Sequence, residues 1–344
     1  MSQKPEDLLM HKNAEVRRQA VIDLRKRETN AINIIPILIK SLWDDDWRVR
    51  KTAVEILLDI RGEAVIKELI NTLYCEENAN ARNSAIEVLI ALGHESVDYL
   101  IEAYKNAALH VKKFIIDILG STGDLKALPL LLKALEDKDE NVRAAAVEHL
   151  GNIRNNASVV KALIAILKKA DVWVAYPAAE ALGRIGDAKA VSTLVSVLSQ
   201  KTLRKPAIWA LGQIAEVSSL ATVVSYLKDK SKTVREETVK AVERFFQKGI
   251  SEETIIENVK RVYGNEIIQI LLPLTQSDKK DVRTAAILLL GLLKDQTAIA
   301  PLLEMSVEED LHESIVKALV FIGKSIPESL VPFFDVSDSY QRRV

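Results

Sequence analysis

Cysteine is almost absent from this chain of 344 residues, in which Cys75 is the single example. One cysteine cannot form an internal disulfide, which excludes disulfide frameworks of secreted proteins and zinc sites built from several cysteines. We therefore expect a reducing, cytoplasmic compartment. The opening stretch, residues 1–7, is too polar for a signal peptide. No uncharged apolar run reaches about 18 residues, so no membrane span is expected.

Aromatic residues are also scarce, at 5% of the chain, whereas apolar residues make up 48%. A core made mainly of Leu, Ile, Val and Ala favours close packing of helices. An excess of charge of one sign is missing as well, because 47 basic and 48 acidic side chains leave a net charge of −1. Such a balance gives no overall attraction to nucleic acid or to an anionic membrane, and we expect binding to neither.

Signals of catalysis are missing too. The sequence has no glycine-rich phosphate loop, no nucleophile elbow and no cysteine–histidine pair. Its five histidines are scattered, which does not favour a metal site. They are His11, His94, His110, His149 and His312. We therefore expect no metal, no cofactor and no catalytic residue, and we predict that the chain is not an enzyme.

What the chain does contain is a repeat, which residues 139–153 represent best. Val142, Ala146 and Leu150 form one apolar stripe at helical spacing. The position of Val142, called here the anchor, recurs about every thirty residues, which predicts a solenoid. The anchors are Val16, Val49, Ala81, Val111, Val142, Val174, Leu203, Val234, Val282 and Leu311.

Each anchored helix is preceded by a second apolar run, such as residues 127–135 or 159–167. Each repeat is therefore predicted to form an antiparallel pair of helices, helix A followed by helix B, with a short polar loop between them. Over residues 1–344 we predict an all-α fold, a single right-handed α-α superhelix of about ten helix pairs plus a partial eleventh.

Three departures from the repeat carry further predictions. The first helix A is short, and an extra helix is expected at about residues 250–264, where it should either project from the array or change its curvature. An eleventh helix A is predicted near residues 327–334, and the sequence stops one turn into its helix B at Tyr340. We therefore expect residues 1–344 to be an N-terminal portion of a longer protein.

The unit Asp-x-x-Val-Arg-x-Ala-Ala-x-x-x-Leu-Gly-x-Ile, read at residues 139–153, resembles the HEAT-like repeat of the phycobilisome-lyase (PBS lyase) type. Residues 171–186 and 281–293 are similar, and the resemblance extends over residues 13–334. It implies an α-solenoid. Proteins of this type include chromophore lyases, a di-iron hydroxylase, DNA glycosylases and scaffolds. The hydroxylase's paired His-Glu motifs have no counterpart, since Ala144-Ala145 stands at that place.

A column of acidic residues stands six positions after the anchors. Helix B lines the concave face of such solenoids, so this column is expected along an inner groove. Five acids are followed by Trp209 and then by mainly basic or apolar residues, which favours a partner with a basic end. The alternative is that Glu is simply a good helix former at exposed positions. The predicted binding residues here are Glu55, Glu87, Asp117, Glu148, Glu180, Trp209 and Lys240.

The rare aromatic residues add candidates for the same surface. Trp173 and Tyr176 lie near the start of one helix B, and aromatic side chains dominate the energetics of protein interfaces. The alternative for Trp47 and Trp173 is that each folds over the adjacent ridge and covers core. We include Trp173 and Tyr176 in the predicted partner-binding set.

A column of basic residues stands one position after the anchors. A ladder of cations can follow a phosphate backbone. The favoured interpretation is structural, with each cation paired to a loop acid such as Asp46, Asp139 or Asp171 and so joining neighbouring units. The column comprises Arg17, Arg50, Arg82, Lys112, Arg143, Ala175, Arg204, Arg235, Arg283 and His312.

Taken together, these patterns predict a non-catalytic scaffold or regulatory subunit that binds a partner protein along its concave surface. The alternative, implied by the family resemblance, is a bilin lyase or a lyase-like chaperone that handles a chromophore. Nucleic-acid binding is a third and weaker interpretation, because the acidic column opposes it.

Overall fold

The computed structural model describes residues 5–27, 31–169 and 171–325, and within those ranges all regular structure is helical. The chain divides into two compact units, residues 1–150 and 151–344, which are described separately below. The predicted all-α class is confirmed. The partial eleventh helix pair predicted at residues 327–344 lies outside the described residues.

Unit 1 alternates the predicted A and B helices, with even numbers for helix B. Each helix B packs against the next, from α2 through α4, α6 and α8 to α10. The helices are α1 (Pro5–Leu8), α2 (Ala14–Arg27), α3 (Ala31–Ser41), α4 (Trp47–Ile60), α5 (Gly62–Thr72), α6 (Ala79–Leu92), α7 (His94–Asn106), α8 (Leu109–Thr122), α9 (Leu128–Ala134) and α10 (Glu140–Leu150).

Unit 2 continues the pattern with shorter A helices, several of which are extended by 3-10 turns. Its B helices α12, α14, α16, α19 and α21 pack in succession. The helices are α11 (Ala157–Lys169), α12 (Val172–Ile185), α13 (Val191–Val197), α14 (Arg204–Ile214), α15 (Leu220–Val224), α16 (Lys232–Gln247), α17 (Glu252–Tyr263), α18 (Ile267–Leu271), α19 (Lys280–Leu293), α20 (Ile299–Glu304) and α21 (His312–Ser325).

The core consists of the three positions that define the repeat, which are the anchor and the residues four and eight positions after it. Val142, Ala146 and Leu150 are fully buried, and so are their equivalents Val174, Ala178 and Leu182. Small side chains in the middle position let neighbouring helices approach closely, while the leucines fill the space between them. This burial explains why the anchors recur so regularly in the sequence.

Glycines late in the B helices allow an even closer approach in unit 2. A Cβ placed on Gly212 would lie 2.8 Å from the Cα of Ala241, and one on Gly291 would lie 2.5 Å from the Cα of Ala318. Each glycine is therefore a contact point for the next helix B. The repeat's glycine does not simply end the helix, since α12 continues beyond Gly183 to Ile185.

The extra helix predicted near residues 250–264 is present as α17. It begins after Ser251, whose hydroxyl accepts a hydrogen bond from the N–H of Thr254 at 3.3 Å. It does not project from the array, because it packs against α15 and α19. At the end of α17, the Tyr263 hydroxyl donates to the carbonyl of Ser225 at 2.7 Å. This hydrogen bond fixes α17 to the turn that follows α15.

Candidate functional site

The acids of the predicted column in unit 1 stand on four successive B helices, α4, α6, α8 and α10. Glu55, Glu87 and Glu148 are exposed. Glu87 accepts a hydrogen bond from the Lys51 ammonium on α4 at 2.8 Å, a link between neighbouring B helices in which both side chains are about half exposed. This face of unit 1 therefore presents carboxylates to solvent, as the sequence predicted.

Asp117 differs from the exposed acids of the column because it is half-buried and interacts with two side chains of the protein. It interacts with Lys113 at 2.5 Å and with His149 Nε2 at 3.3 Å. Burial raises the pKa of Asp117, but the hydrogen bonds from His149 and Lys113 outweigh it and leave the pKa lowered. The His149 ring lies over Gly120, where a side chain would collide with it. Asp117 thus joins α8 to α10.

In unit 2 the predicted residues form a small surface on α12 and α14, named here the aromatic–acid face: Trp173, Tyr176, Glu180 and Trp209. Trp173 is 62% exposed, whereas the other three are half-buried. The ring of Trp209 lies 2.7 Å from the place that a Cβ of Gly183 would take, so it rests on α12. Trp173, Tyr176 and Glu180 thus lie on α12, and Trp209 on α14 contacts the same helix at Gly183.

Two carboxylates act on Tyr176 in the aromatic–acid face. Burial raises the pKa of Tyr176, and the carboxylates of Glu180 and Glu237 raise it further. A second feature of the face is Pro177, which lies inside α12. Because proline has no N–H, the carbonyl of Trp173 receives no helical hydrogen bond from residue 177 and retains an acceptor beside an exposed ring.

Lys240 was predicted to contribute a basic group to the groove, but the structure uses it internally. Its ammonium lies 3.3 Å from Glu237 and 3.0 Å from Asp281, and its side chain is 20% exposed. Glu237 also accepts a hydrogen bond from Arg244 at 2.8 Å and is nearly buried. The reversal of charge seen in the sequence is thus neutralised locally at α16 and α19.

Trp47 and Trp173 do not cover core, so that alternative is wrong. Trp47 is 64% exposed and opens α4, while Trp173 stands at the equivalent end of α12. Both rings are available at the surface of their own unit. Trp43 is 40% exposed as well, so three of the four tryptophans of the chain are exposed.

The basic column joins neighbouring units, as the favoured interpretation held. Four of its members bind an aspartate in the A–B loop of the next helix pair. Several also donate to carbonyls of their own loop, as Arg50 does to Asp44 at 2.7 Å. The pairs are Arg17–Asp44 at 2.7 Å, Lys112–Asp137 at 2.9 Å, Arg204–Asp229 at 2.8 Å and Arg283–Asp310 at 2.9 Å.

The acids expected to pair with this column have another role. Asp46, Asp139 and Asp171 cap their B helices by accepting backbone N–H groups at 2.9, 2.7 and 3.2 Å. An aspartate at this position satisfies a donor that the helix itself cannot. Asp46 is therefore not the partner of Arg50, which donates to the carbonyls of Asp44 and Asp45, and in the four ion pairs above the acid lies in the next repeat. Cations neutralised in this way do not form a ladder for phosphates.

Among the residues that the structure describes, no group of three or more His, Cys, Asp or Glu side chains is arranged to hold a metal ion. Within the same ranges, no helix is long and apolar enough to cross a membrane. Cys75 is half-buried beyond the end of α5 and takes part in no disulfide.

Residues 4–90, 66–140 and 128–202 match the family model for HEAT repeats. Bilin biosynthesis protein PecF from Nostoc sp. is 32% identical over 135 residues, which cover 35% of this chain and 78% of PecF. Bilin biosynthesis protein PecE from Mastigocladus laminosus is 21% identical over 175 residues, which cover 48% of this chain and 65% of PecE. The predicted family resemblance is confirmed.

A crystal structure of importin beta has a TM-score of 0.60 and 14% identity over 97% of this chain and 55% of importin beta. At that identity the likeness shows the fold alone. The two curated relatives also correct one prediction. The expectation that the chain is not an enzyme is wrong as stated, because both relatives are named for a biosynthetic activity.

Proposed function

This chain belongs to the HEAT-repeat proteins of the phycobilisome-lyase type, and we propose that it binds a partner protein through the aromatic–acid face of unit 2. The observation that carries this proposal is the exposure of Trp173, at 62%, beside Tyr176, Glu180 and Trp209. Buried tryptophan and tyrosine anchors supply most of the binding energy at protein interfaces. Trp173, exposed on a helix beside two half-buried aromatic residues, is a ready anchor.

The partner's chemistry follows from the charge of this face. Glu180 lies one turn from Tyr176 on α12, and its carboxylate acts on the tyrosine side chain. A lysine or arginine side chain of the partner gains both a carboxylate and an aromatic surface there. In unit 1, Glu55, Glu87 and Glu148 present further carboxylates. We therefore propose a partner with a basic segment.

The test compares two tryptophans of equal exposure. The natural full-length protein is captured from its own cells as wild type, as Trp173→Ala and as Trp47→Ala, and the bound proteins are quantified by mass spectrometry. Loss of an interface anchor weakens binding by roughly tenfold or more, so one partner should be depleted with Trp173→Ala. Trp47 is 64% exposed in unit 1 and serves as the matched control.

Both variants should keep the thermal midpoint of the wild type, because neither ring is packed in the core. Trp209→Ala is a poorer probe, since Trp209 rests on Gly183 and its removal opens a cavity. Glu180→Lys should deplete the same partner as Trp173→Ala. Equal capture by wild type and Trp173→Ala would reject the aromatic–acid face as the binding surface.

A second function, in the handling of bilins, is favoured by the likeness to PecF and PecE, both bilin biosynthesis proteins. Under this proposal the chain takes part in lyase-type chemistry on a bilin and its acceptor protein. Mixing the purified protein with a bilin should then change the visible absorption spectrum, while protein unfolded in urea should leave it unchanged. Identical spectra with folded and unfolded protein would argue against this second function.

A further inference from the structure

Unit 1 contains a groove on its A-helix side that the partner-binding residues do not use. It lies between α7 and α9 and ends at the start of α8 and the loop of residues 135–139. Its volume is about 740 Å³, which falls within the roughly 300–1,000 Å³ of small-molecule sites. The groove adjoins the helix pair α7 and α8, whose connecting loop is reduced from polar residues to two alanines, Ala107 and Ala108.

The groove has an apolar surface because of that short loop. Leu109 is 56% exposed and lines the groove together with half-buried Leu130. In the preceding units, α4 and α6 begin after Asp46 and Asn78, whose side chains cap the helix. Helix α8 follows Ala108, which provides no side-chain cap. Ala108 thus stands at the capping position, and the exposed Leu109 follows it as the first residue of α8.

One of the two acids that line the groove, Asp137, is already neutralised. The Lys112 ammonium donates to Asp137 at 2.9 Å, and the Tyr104 hydroxyl donates to the same carboxylate at 2.8 Å. The Asp137 side chain is only 8% exposed. Its charge is therefore satisfied inside the protein and offers little repulsion to an anion in the groove.

Cations exceed acids around the groove. Four lysines line it, against Glu136 and Asp137: Lys105, Lys112, Lys133 and Lys138. Lys112 is paired with Asp137, and Lys105 with Glu102. Lys133 and Lys138 have no side-chain partner among the described residues. An anionic group in the groove is therefore attracted by two ammonium groups that no carboxylate neutralises.

From this combination we infer that the groove binds an amphipathic carboxylate of small-molecule size. Its apolar body packs against Leu109 and Leu130, which removes exposed hydrocarbon from water. Its carboxylate interacts with Lys133 and Lys138. The volume favours a small molecule over a protein segment, and the charge favours an anion over a neutral or cationic amphiphile. This site does not depend on the partner binding proposed for unit 2.

The full chain is tested with decanoate and with decyltrimethylammonium, which have chains of the same length and opposite charge. Each is titrated against bound anilinonaphthalene sulfonate, an anionic fluorescent probe. Decanoate should displace the probe, and the cation should fail to do so. Lys133→Glu combined with Lys138→Glu should weaken decanoate binding by about tenfold or more.

Two matched controls keep the test specific. Leu109→Asp should weaken binding, whereas Leu125→Asp should not, because Leu125 is 67% exposed in the same unit but lies outside the groove. Lys161→Glu with Lys168→Glu makes the same charge change on α11 and should also leave binding intact. Circular dichroism checks that each variant is folded.

Three results would overturn the inference. Decanoate binding that is equal in wild type and in Leu109→Asp would place the ligand elsewhere. Displacement of the probe by a leucine- and glutamate-containing peptide but not by decanoate would assign the groove to an acidic protein segment. Displacement of the probe by decyltrimethylammonium as well as by decanoate would reject the preference for a carboxylate.

Discussion

The pairing of Arg17 with Asp44 gives a quantitative test of how neighbouring units are joined. Two short hydrogen bonds, at 2.7 and 2.8 Å, connect the guanidinium to both carboxylate oxygens, and the side chains are only 16% and 11% exposed. Removing one partner of a fully buried pair costs about 3–5 kcal/mol. Because some solvent reaches this pair, we expect Arg17→Met to lower the free energy of unfolding by roughly 2–4 kcal/mol.

The matched control is the next residue on the same helix. Arg18 binds Glu15 at 2.6 Å, but this pair is exposed and lies within α2, so Arg18→Met should change stability little. Urea unfolding at pH 7, followed by circular dichroism, compares the two variants. Equal losses for Arg17→Met and Arg18→Met would refute the view that the basic column joins neighbouring units.

The pH dependence of this pair has a defined sign. Burial raises the pKa of Asp44, but the hydrogen bonds from Arg17 and from the N–H of Asp46 outweigh it and hold the pKa below its ordinary 3.8. The stabilisation is therefore present above that value and is lost as pH falls through the folded-state pKa. The difference between wild type and Arg17→Met should shrink as the urea experiment is moved to pH 3.

Three further predictions concern contacts between helices. Gly212→Ala should lower the free energy of unfolding of unit 2 by about 1–3 kcal/mol in urea, because a Cβ would collide with Ala241. An increase in the free energy of unfolding, which helix propensity alone predicts, would contradict this. Tyr263→Phe removes the hydrogen bond to Ser225 and should speed hydrogen exchange in α17, while unchanged exchange would mean that the hydroxyl does not fix that helix. Asp117→Asn should lower stability at pH 7 but not well below pH 3.8, since the pKa of Asp117 is lowered in the folded state; a loss independent of pH would exclude this role.

The repeat could be predicted from the sequence because burial acts on every unit in the same way. Val142, Ala146 and Leu150 face the core, and a polar residue there would lose hydrogen bonds to water, so the columns recur. The acids of the exposed column on unit 1 could be placed for a related reason, since helical spacing puts them opposite the core.

The partners of side chains could not be predicted in the same way. A spacing of four residues made Asp46 the apparent partner of Arg50, but a carboxylate at the start of a helix is used by the helix's own N–H groups. The actual ion pairs join residues 25 to 27 positions apart. Those residues meet only because each helix pair packs on the next. The periodicity of apolar residues does not show which side chains come into contact.

The groove on unit 1 shows why departures from the repeat matter more for function than the repeat does. Lys112 and Asp137 make the same link between units as Arg17 and Asp44, so the scaffold is preserved there. The change is confined to the start of α8, where Ala108 replaces a capping residue and the exposed Leu109 follows it, without disturbing that link. Loss of a helix cap lowers the free energy of unfolding by about 0.5–2 kcal/mol. A leucine that stays exposed adds no stability through burial. A local cost that leaves the packing intact is the pattern expected where a residue is retained for binding, which is why Leu109→Asp is the decisive variant for the groove.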